Sequence, residues 1–375
     1  SLQTGLTSGA IDPTSLTEVG SGFQMLAMLL TLGLGPLSKP WRTSQMKKSL
    51  VALAVLAASG AAMAQSSVTL FGVVDAGFTQ ASSATNKRTS LSTSGISSSQ
   101  LGFRGTEDLG GGMAAHFWLE AALANDTGNG GGTNSNNQAT GSVAAAAGQQ
   151  GLTFARRSTV SLSNAMGEIR LGRDYTPQFW NHTVYDPFGT NGIGTNQMLN
   201  SGGPITPGST GSTYVRASNS ISFLYNHGKN ATYAAGGTGF HAAVQTYYGE
   251  NVSTAAGNTG DDGNGTGIRV GYNQGPISVA YANSSTTYAA GNVKSSNIGG
   301  AYNFGVARVM AQTTTDKVGT ALEGKGQLMG VTVPMGGGTF KLASSQYETN
   351  AAGNPTSKQM AVGYVLDLSK RTAVY

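Results

Sequence analysis

From Val68 onward the sequence keeps one rhythm: about ten residues of alternating apolar and polar side chains, then a turn or a loop. Period two marks a strand with one dry and one wet face. "VTLFGVVDAGF" puts Val68, Leu70, Val74, Ala76 and Phe78 on one face and Thr69 and Asp75 on the other. "AHFWLEAAL" sets Phe117, Leu119, Ala121 and Leu123 against His116, Trp118 and Glu120. "GFHAAVQTYYG" and "GIRVGYN" repeat the pattern, with Arg269 on the polar face of the second. Fourteen such segments lie between Val68 and Leu368, and a fifteenth opens at "RTAVY".

The connections alternate in length. Short ones fall at 107–112, 164–167, 273–276, 303–305 and 334–338. Long ones run about 80–95, 125–150, 175–213, 250–265, 284–294 and 316–324. Short turns at one end and long loops at the other are the layout of an outer-membrane barrel. A soluble exported β-sandwich, an adhesin or binding module, shares the alternation, and the faces separate the two. In a sandwich the dry faces pack on each other; in a barrel they meet lipid and the polar face lines a lumen. Strands near the 9–11 residues that cross a bilayer at a tilt favour the barrel. So do aromatics near strand ends: Phe78, Phe103, Tyr225, Tyr248, Tyr302 and Phe304. The polar face also carries Asp75, Arg104, Glu120 and Arg269, charges that a dry core tolerates only in pairs. The fold predicted is all-β, a transmembrane antiparallel barrel. Single-chain bacterial barrels have an even strand number. Fourteen to fifteen strands therefore predict a barrel whose last strand or two are missing at the C-terminal end.

"MKKSLVALAVLAASGAAMAQ" (46–65) reads as an export signal: Lys47 and Lys48, an apolar run over Ser49–Ala58, and a cleavage site at Ala62-Met63-Ala64. The mature chain is expected to begin at Gln65, with residues 46–64 as signal peptide and 65–375 as the barrel. Residues 1–45 receive no role. With no Cys in the chain, the exported fold has no disulfide framework. The net charge of +5 falls to +3 without residues 1–64, which hold four bases and two acids. So small and scattered an excess is no nucleic-acid footprint. His116, His182, His227 and His241 lack metal-like spacing, and no catalytic constellation stands out. The chain is therefore expected to be no enzyme and to need no cofactor or metal.

"SSVTLFGVVDAGF" after "AMAQ", "LGFRGTEDLGGGM", "EIRLGRDYTPQFW", "DPFG", "RASNSISFLYN" and "YVLDLSKRTAVY", in this order, resemble the general trimeric porins of Gram-negative bacteria, most closely the beta-proteobacterial type. The resemblance spans essentially all of 65–375. It implies a sixteen-stranded barrel in the outer membrane, assembled as a homotrimer and open to passive diffusion of ions and small hydrophilic solutes. It also implies contact with outer-membrane lipid and lipopolysaccharide, recognition by the barrel-assembly machinery, and a third long loop, about 175–213, folded inward to narrow the pore. Such a loop stays ordered only if its backbone polar groups find partners on the wall.

The resemblance further implies basic residues on the wall facing carboxylates on the loop, a field that orients water and dipolar solutes. Carried over, the wall residues are Arg156 and Arg216. Gln100 stands where the family often has Arg, and Arg104, four residues on, is expected to replace it in part. Of Arg156 and Arg157 one is expected to point away; the resemblance favours Arg156 inside, and alternation alone leaves the choice open. Asp186 in "DPFG" is the expected loop carboxylate, with Asp174 at the loop base. Asp75, Glu120 and Arg269 are expected as further lumen-facing charges, the two acids solvated. Inward bases and acids nearly balance, and the basic wall tips the expectation weakly toward anions. A substrate-specific channel, with Trp118, Phe179, Trp180, Tyr185 and Phe188 as a solute track, is the second functional expectation.

Overall fold

The computed structural model describes residues 2–6, 67–134, 136–137, 151–199, 212–227, 236–251 and 260–375. The expected export signal at 46–64 lies outside the described residues.

Among the described residues eighteen strands form one antiparallel sheet. They are β1 (Leu2–Leu6), β2 (Ser67–Ser82), β3 (Lys87–Thr93), β4 (Gln100–Gly110), β5 (Met113–Ala124), β6 (Asn129–Gly130), β7 (Arg157–Asn164), β8 (Gly167–Tyr175) and β9 (Arg216–Tyr225). They continue as β10 (Gly239–Tyr247), β11 (Gly265–Gln274), β12 (Ile277–Thr286), β13 (Val293–Asn303), β14 (Arg308–Val318), β15 (Leu322–Met335), β16 (Gly338–Thr349), β17 (Thr356–Asp367) and β18 (Thr372–Val374). Among the described residues the connection from β8 to β9 holds the α-helices α1 (Pro177–Val184) and α2 (Ser212–Val215) and a 3-10 turn at Gly192–Gly194.

Successive wall strands pair with their sequence neighbours, the simplest way to satisfy every backbone group where no water is available. Two strands are side arms: β3 folds back on the far end of β2, and β6 pairs with the end of β5. Without them the wall from β2 to β18 has fifteen strands, the number legible in the sequence.

The faces decide between barrel and sandwich. Val68, Val160, Leu162, Ile169, Phe240 and Met360 are exposed, while their strand neighbours Asp75, Ser161, Arg170 and His241 are buried. The dry face looks out and the polar face looks in, along every wall strand from β7 to β14. A soluble protein with so continuous an apolar exterior would aggregate.

Three details depart from the sequence reading. The long loop expected at 80–95 is mostly the β2–β3 hairpin. The one expected at 316–324 is a tight turn, because pairing of β14 with β15 runs to Val318↔Leu322 and Gly319 takes a left-handed φ of 58°. The upstream segment, given no role, contributes β1, which pairs at five positions with β2 and at three with β18. Two strand edges with unsatisfied N–H and C=O groups accept any extended segment within reach.

Candidate functional site

The β8–β9 connection turns into the barrel. Pro177 starts α1, where its missing N–H costs nothing. Thr176 and Gln178 tie the loop base to the Tyr214 carbonyl. The helix lies against β11, β12 and β13. Asn181, fully buried, is its latch: Oδ1 accepts from Arg269 Nε at 2.7 Å, and Nδ2 donates to the Ala280 carbonyl at 3.0 Å and to Asn297 Oδ1 at 2.8 Å. Asn297 donates to the Gln178 carbonyl, and Gln312 to the His182 carbonyl. The loop's backbone thus finds its partners on the wall, as an ordered inward loop requires.

Beyond α1 the loop follows the wall. Pro187 covers Gly330 on β15, Phe188 lies 3.1 Å from where a Gly363 Cβ would stand on β17, and the Gln197 N–H reaches Ser345 Oγ on β16. At its tip, Asn191 Oδ1 accepts from Ser98 Oγ at 2.8 Å, next to the start of β4. Inward glycines make the space: Gly267 beneath Pro177, Gly299 beneath Tyr185, Gly330 and Gly363. The described part of the loop therefore lies along the lumen face from β11 round to β17, with the hydrogen bonds named above falling there and at Ser98 rather than on β5, β7 and β8.

The wall around β5, β7 and β8 carries the charge. Arg156 bonds Glu120 Oε1 through Nε at 2.5 Å and the Tyr175 hydroxyl through Nη2 at 2.9 Å. Arg216 donates to the same hydroxyl at 2.8 Å, with its guanidinium 4.4 Å from the Tyr175 ring centre. Tyr175, stacked on Phe179 at 4.9 Å, is the hub of both arginines. Arg170 pairs with Asp174 at 2.6 Å and Glu168 at 2.9 Å. Arg157 lies 3.6 Å from Asp174 and 4.4 Å from the Trp118 ring centre. Toward the short turns the wall opens into a cavity of about 550 Å³ lined by Arg104, His116, Trp118, Arg157, Glu168 and Arg170.

The expected residues fare unequally. Arg156 and Arg216 come together on the Tyr175 hydroxyl. Arg157 points inward too: it shares the buried face of β7 with Thr159 and Ser161, whereas Arg156 precedes the strand and escapes its alternation. Gln100 is buried at the start of β4, and its amide oxygen has no partner among the described residues. Arg104 does not take its place, since four residues along a strand are ~13 Å; it sits nearer the turns, against Phe71 and Trp118.

Asp186 lies in the inward loop, but its carboxylate faces the loop itself, accepting from the Phe188 N–H and from Asn196 Nδ2, both at 2.8 Å. Burial raises its pKa above the ordinary 3.8. Lys341 of β16 is a base within Coulombic reach of Asp186. Asp174 belongs to the β8 wall beside its partners rather than opposite them. Arg156, Arg157 and Arg170 are thus matched by carboxylates of their own wall, and Arg216 by the Tyr175 hydroxyl and ring.

Asp75 and Glu120 are buried, not solvated. Asp75 Oδ2 caps the turn before β4, accepting from the Ile96 and Ser97 N–H groups at 2.8 Å. Arg269 is fully buried beneath α1 and holds the loop rather than facing open lumen. Phe179, Trp180, Tyr185 and Phe188 are buried in packing and offer no solute track. Sequence reasoning missed Tyr175, Asn181 and the inward glycines; glycines on the lumen parity of β11, β13, β15 and β17 were the readable signal.

Residues 49–375 match the Gram-negative porin family. The chain is a Gram-negative porin. Outer membrane porin protein 32 of Delftia acidovorans is 39% identical over 341 residues, covering 88% of each chain. Among solved structures, the anion-selective porin from Comamonas acidovorans superposes with a TM-score of 0.68 at 35% identity, covering 82% of this porin and 86% of that chain. Salmonella typhi OmpF, in complex with daunomycin, shares the fold at a TM-score of 0.54 and 15% identity, over 81% and 86%. The porin is an outer-membrane channel protein and not an enzyme.

Proposed function

We propose that this porin is a passive diffusion channel for ions and small hydrophilic solutes with a preference for anions. One observation carries the reading: the lumen wall around β4, β5 and β7 to β9 carries Arg156, Arg157, Arg170, Arg216 and Arg104 against Glu120, Glu168 and Asp174. Every permeating solute passes this net positive wall, and ring charge at the narrow place sets ion preference. The anion selectivity named for the similar Comamonas porin supports it. The pore constriction is assigned to Arg156 and Arg216 held by Tyr175, with Glu120 on Arg156, Asp174 on the neighbouring Arg157 and Arg170, and Gln100 and Arg104 above and below. Asp186 acts through loop shape. The working form is a homotrimer in contact with lipid and lipopolysaccharide and delivered by the barrel-assembly machinery, after cleavage before Gln65.

The test is the zero-current potential of the purified porin in a planar bilayer under a potassium chloride gradient. A sign set by chloride is expected, weakening as salt rises and screens the wall. A sign set by potassium overturns the anion preference.

A further inference from the structure

We propose that Ile193, at the tip of the inward loop, is a specificity-determining residue that favours small carboxylates with an apolar tail over those without one. The proposal rests on the anion-preferring reading above and deepens it to a class of solute.

Ile193 is 80% exposed, although its loop lies inside the barrel. One exposed isoleucine on an outer surface needs no explanation. Inside the lumen it meets water and whatever permeates. The fold presents it by pressing both neighbours into packing. Gly192 takes a left-handed φ of 59°, and a Cβ there would strike the Gly95 carbonyl in the turn before β4. A Cβ on Gly194 would strike the Phe188 ring. The Ile193 carbonyl accepts from Gln359 Nε2 of β17 at 2.6 Å, and the Gly192 carbonyl accepts from Thr195 Oγ1 at 2.9 Å. The backbone is thus fixed on both sides while the side chain is turned out. Among the described residues of the loop, 176–199, only Gly192 and Ile193 are exposed. Ile193 is therefore the one largely exposed side chain that the described loop offers to the lumen.

The tip stands on the long-loop side of the arginines. Asn191 bonds Ser98, two residues ahead of Gln100. Gln100 pairs with Ala122, two residues beyond the Glu120 that holds Arg156. A carboxylate entering head first thus has its tail beside Ile193 as its head nears the guanidiniums. The wall, with more arginines than carboxylates, attracts the head through its field. The isoleucine gains by covering CH2 groups of the tail. Chloride and acetate use only the first attraction; a carboxylate with an alkyl chain uses both. A contact with one side chain is also weak enough to let the solute leave, as conduction requires.

The experiment measures the zero-current potential in planar bilayers with potassium butyrate facing potassium acetate, for wild type, Ile193→Val and Ile193→Thr. Valine and threonine share a branched shape and differ by a methyl against a hydroxyl, so apolarity changes while size does not. Threonine is expected to lower the butyrate-to-acetate permeability ratio about twofold, within the factor of about four that one fully buried CH2 is worth. Valine is expected to stay near wild type. In potassium chloride, conductance and the chloride-to-potassium ratio should match wild type in both variants, which a change of loop shape would not allow. A chloride-preferring wild type whose butyrate-to-acetate ratio is unchanged by threonine, or moves equally in both variants, overturns the role of Ile193 alone. A wild type without chloride preference overturns the anion reading and this proposal with it.

Discussion

The two halves of the inner wall solve opposite problems. From β11 to β17 the inward positions carry glycines, amides and a buried Arg269, and they hold a loop. Around β4, β5, β7 and β8 they carry arginines and carboxylates, and they hold an opening. Charge on the first half is taken up by the loop: Arg269 serves Asn181, and Arg308 reaches the Val184 carbonyl at 3.5 Å. Charge on the second half is organised within the wall, through Tyr175, Trp118 and Asp174. Side-chain size decides where the loop lies, and the position of the loop decides which charges a solute meets.

The largest break in this division should come from the open half. Arg156→Ala with Arg216→Ala removes the two arginines that donate to the Tyr175 hydroxyl and two charges at the aperture. At about 4 Å in water a unit charge is worth ~1 kcal/mol, a factor of about five. The permeability ratio should therefore fall at least fivefold toward potassium, read from the zero-current potential. An unchanged ratio would place the selective wall elsewhere.

A smaller effect, of a different kind, should come from the loop-bearing half. Asn181→Leu strands Arg269 Nε and two further groups, at a cost of ~1–3 kcal/mol for a buried unsatisfied partner. The loop should loosen: open-channel noise and the swelling rate of proteoliposomes in larger sugars should rise, while ion preference changes less than in the arginine variant. If preference falls as much as in that variant, the two halves are not separate devices.

The smallest effect is set by pH. His182 Nε2 lies 3.2 Å from Asn297 Nδ2, an atom that can only donate, so the held ring is neutral. Burial lowers its pKa from 6.5 to about 4. A detached loop takes the proton near 6.5 and the held loop near 4, so the hold is complete above 6.5 and weakens as pH falls through this window. The shift cannot exceed about tenfold per pH unit for one proton. Channel noise should rise on going from pH 7 to 4, and His182→Gln should flatten the rise. Asp186 acts in the opposite sense, since its raised pKa makes acid favour the held loop. A residual calming in the His182 variant would be its signature.

Much of this division is legible in the residues alone. Alternation in "GFHAAVQTYYG" puts His241 and Gln245 inside and Phe240 and Val244 outside, and the folded chain has them so. Arg156 and Arg216 follow from the family resemblance. Arg157 does not follow, because its neighbour Arg156 stands just ahead of β7, where strand parity no longer says which of the two turns inward. Asp186 falls in the right loop with the wrong partner, since whether a carboxylate caps its own turn or faces the wall depends on a turn's local hydrogen bonds. Asn181 looks like any polar residue on a short helix; three strands distant in sequence converge to make it a latch.

By itself the sequence determined the strands, their faces and the ends at which loops are long, because period two and turn chemistry are local and one slipped residue inverts a whole strand. The tertiary structure alone decided where the loop lies and which arginines gather beside Tyr175 and Asp174. That outcome is a contest for lumen space among side chains far apart in the chain. It is settled by which stretch of wall is small enough in side-chain volume, and rich enough in hydrogen-bond partners, to accept a backbone.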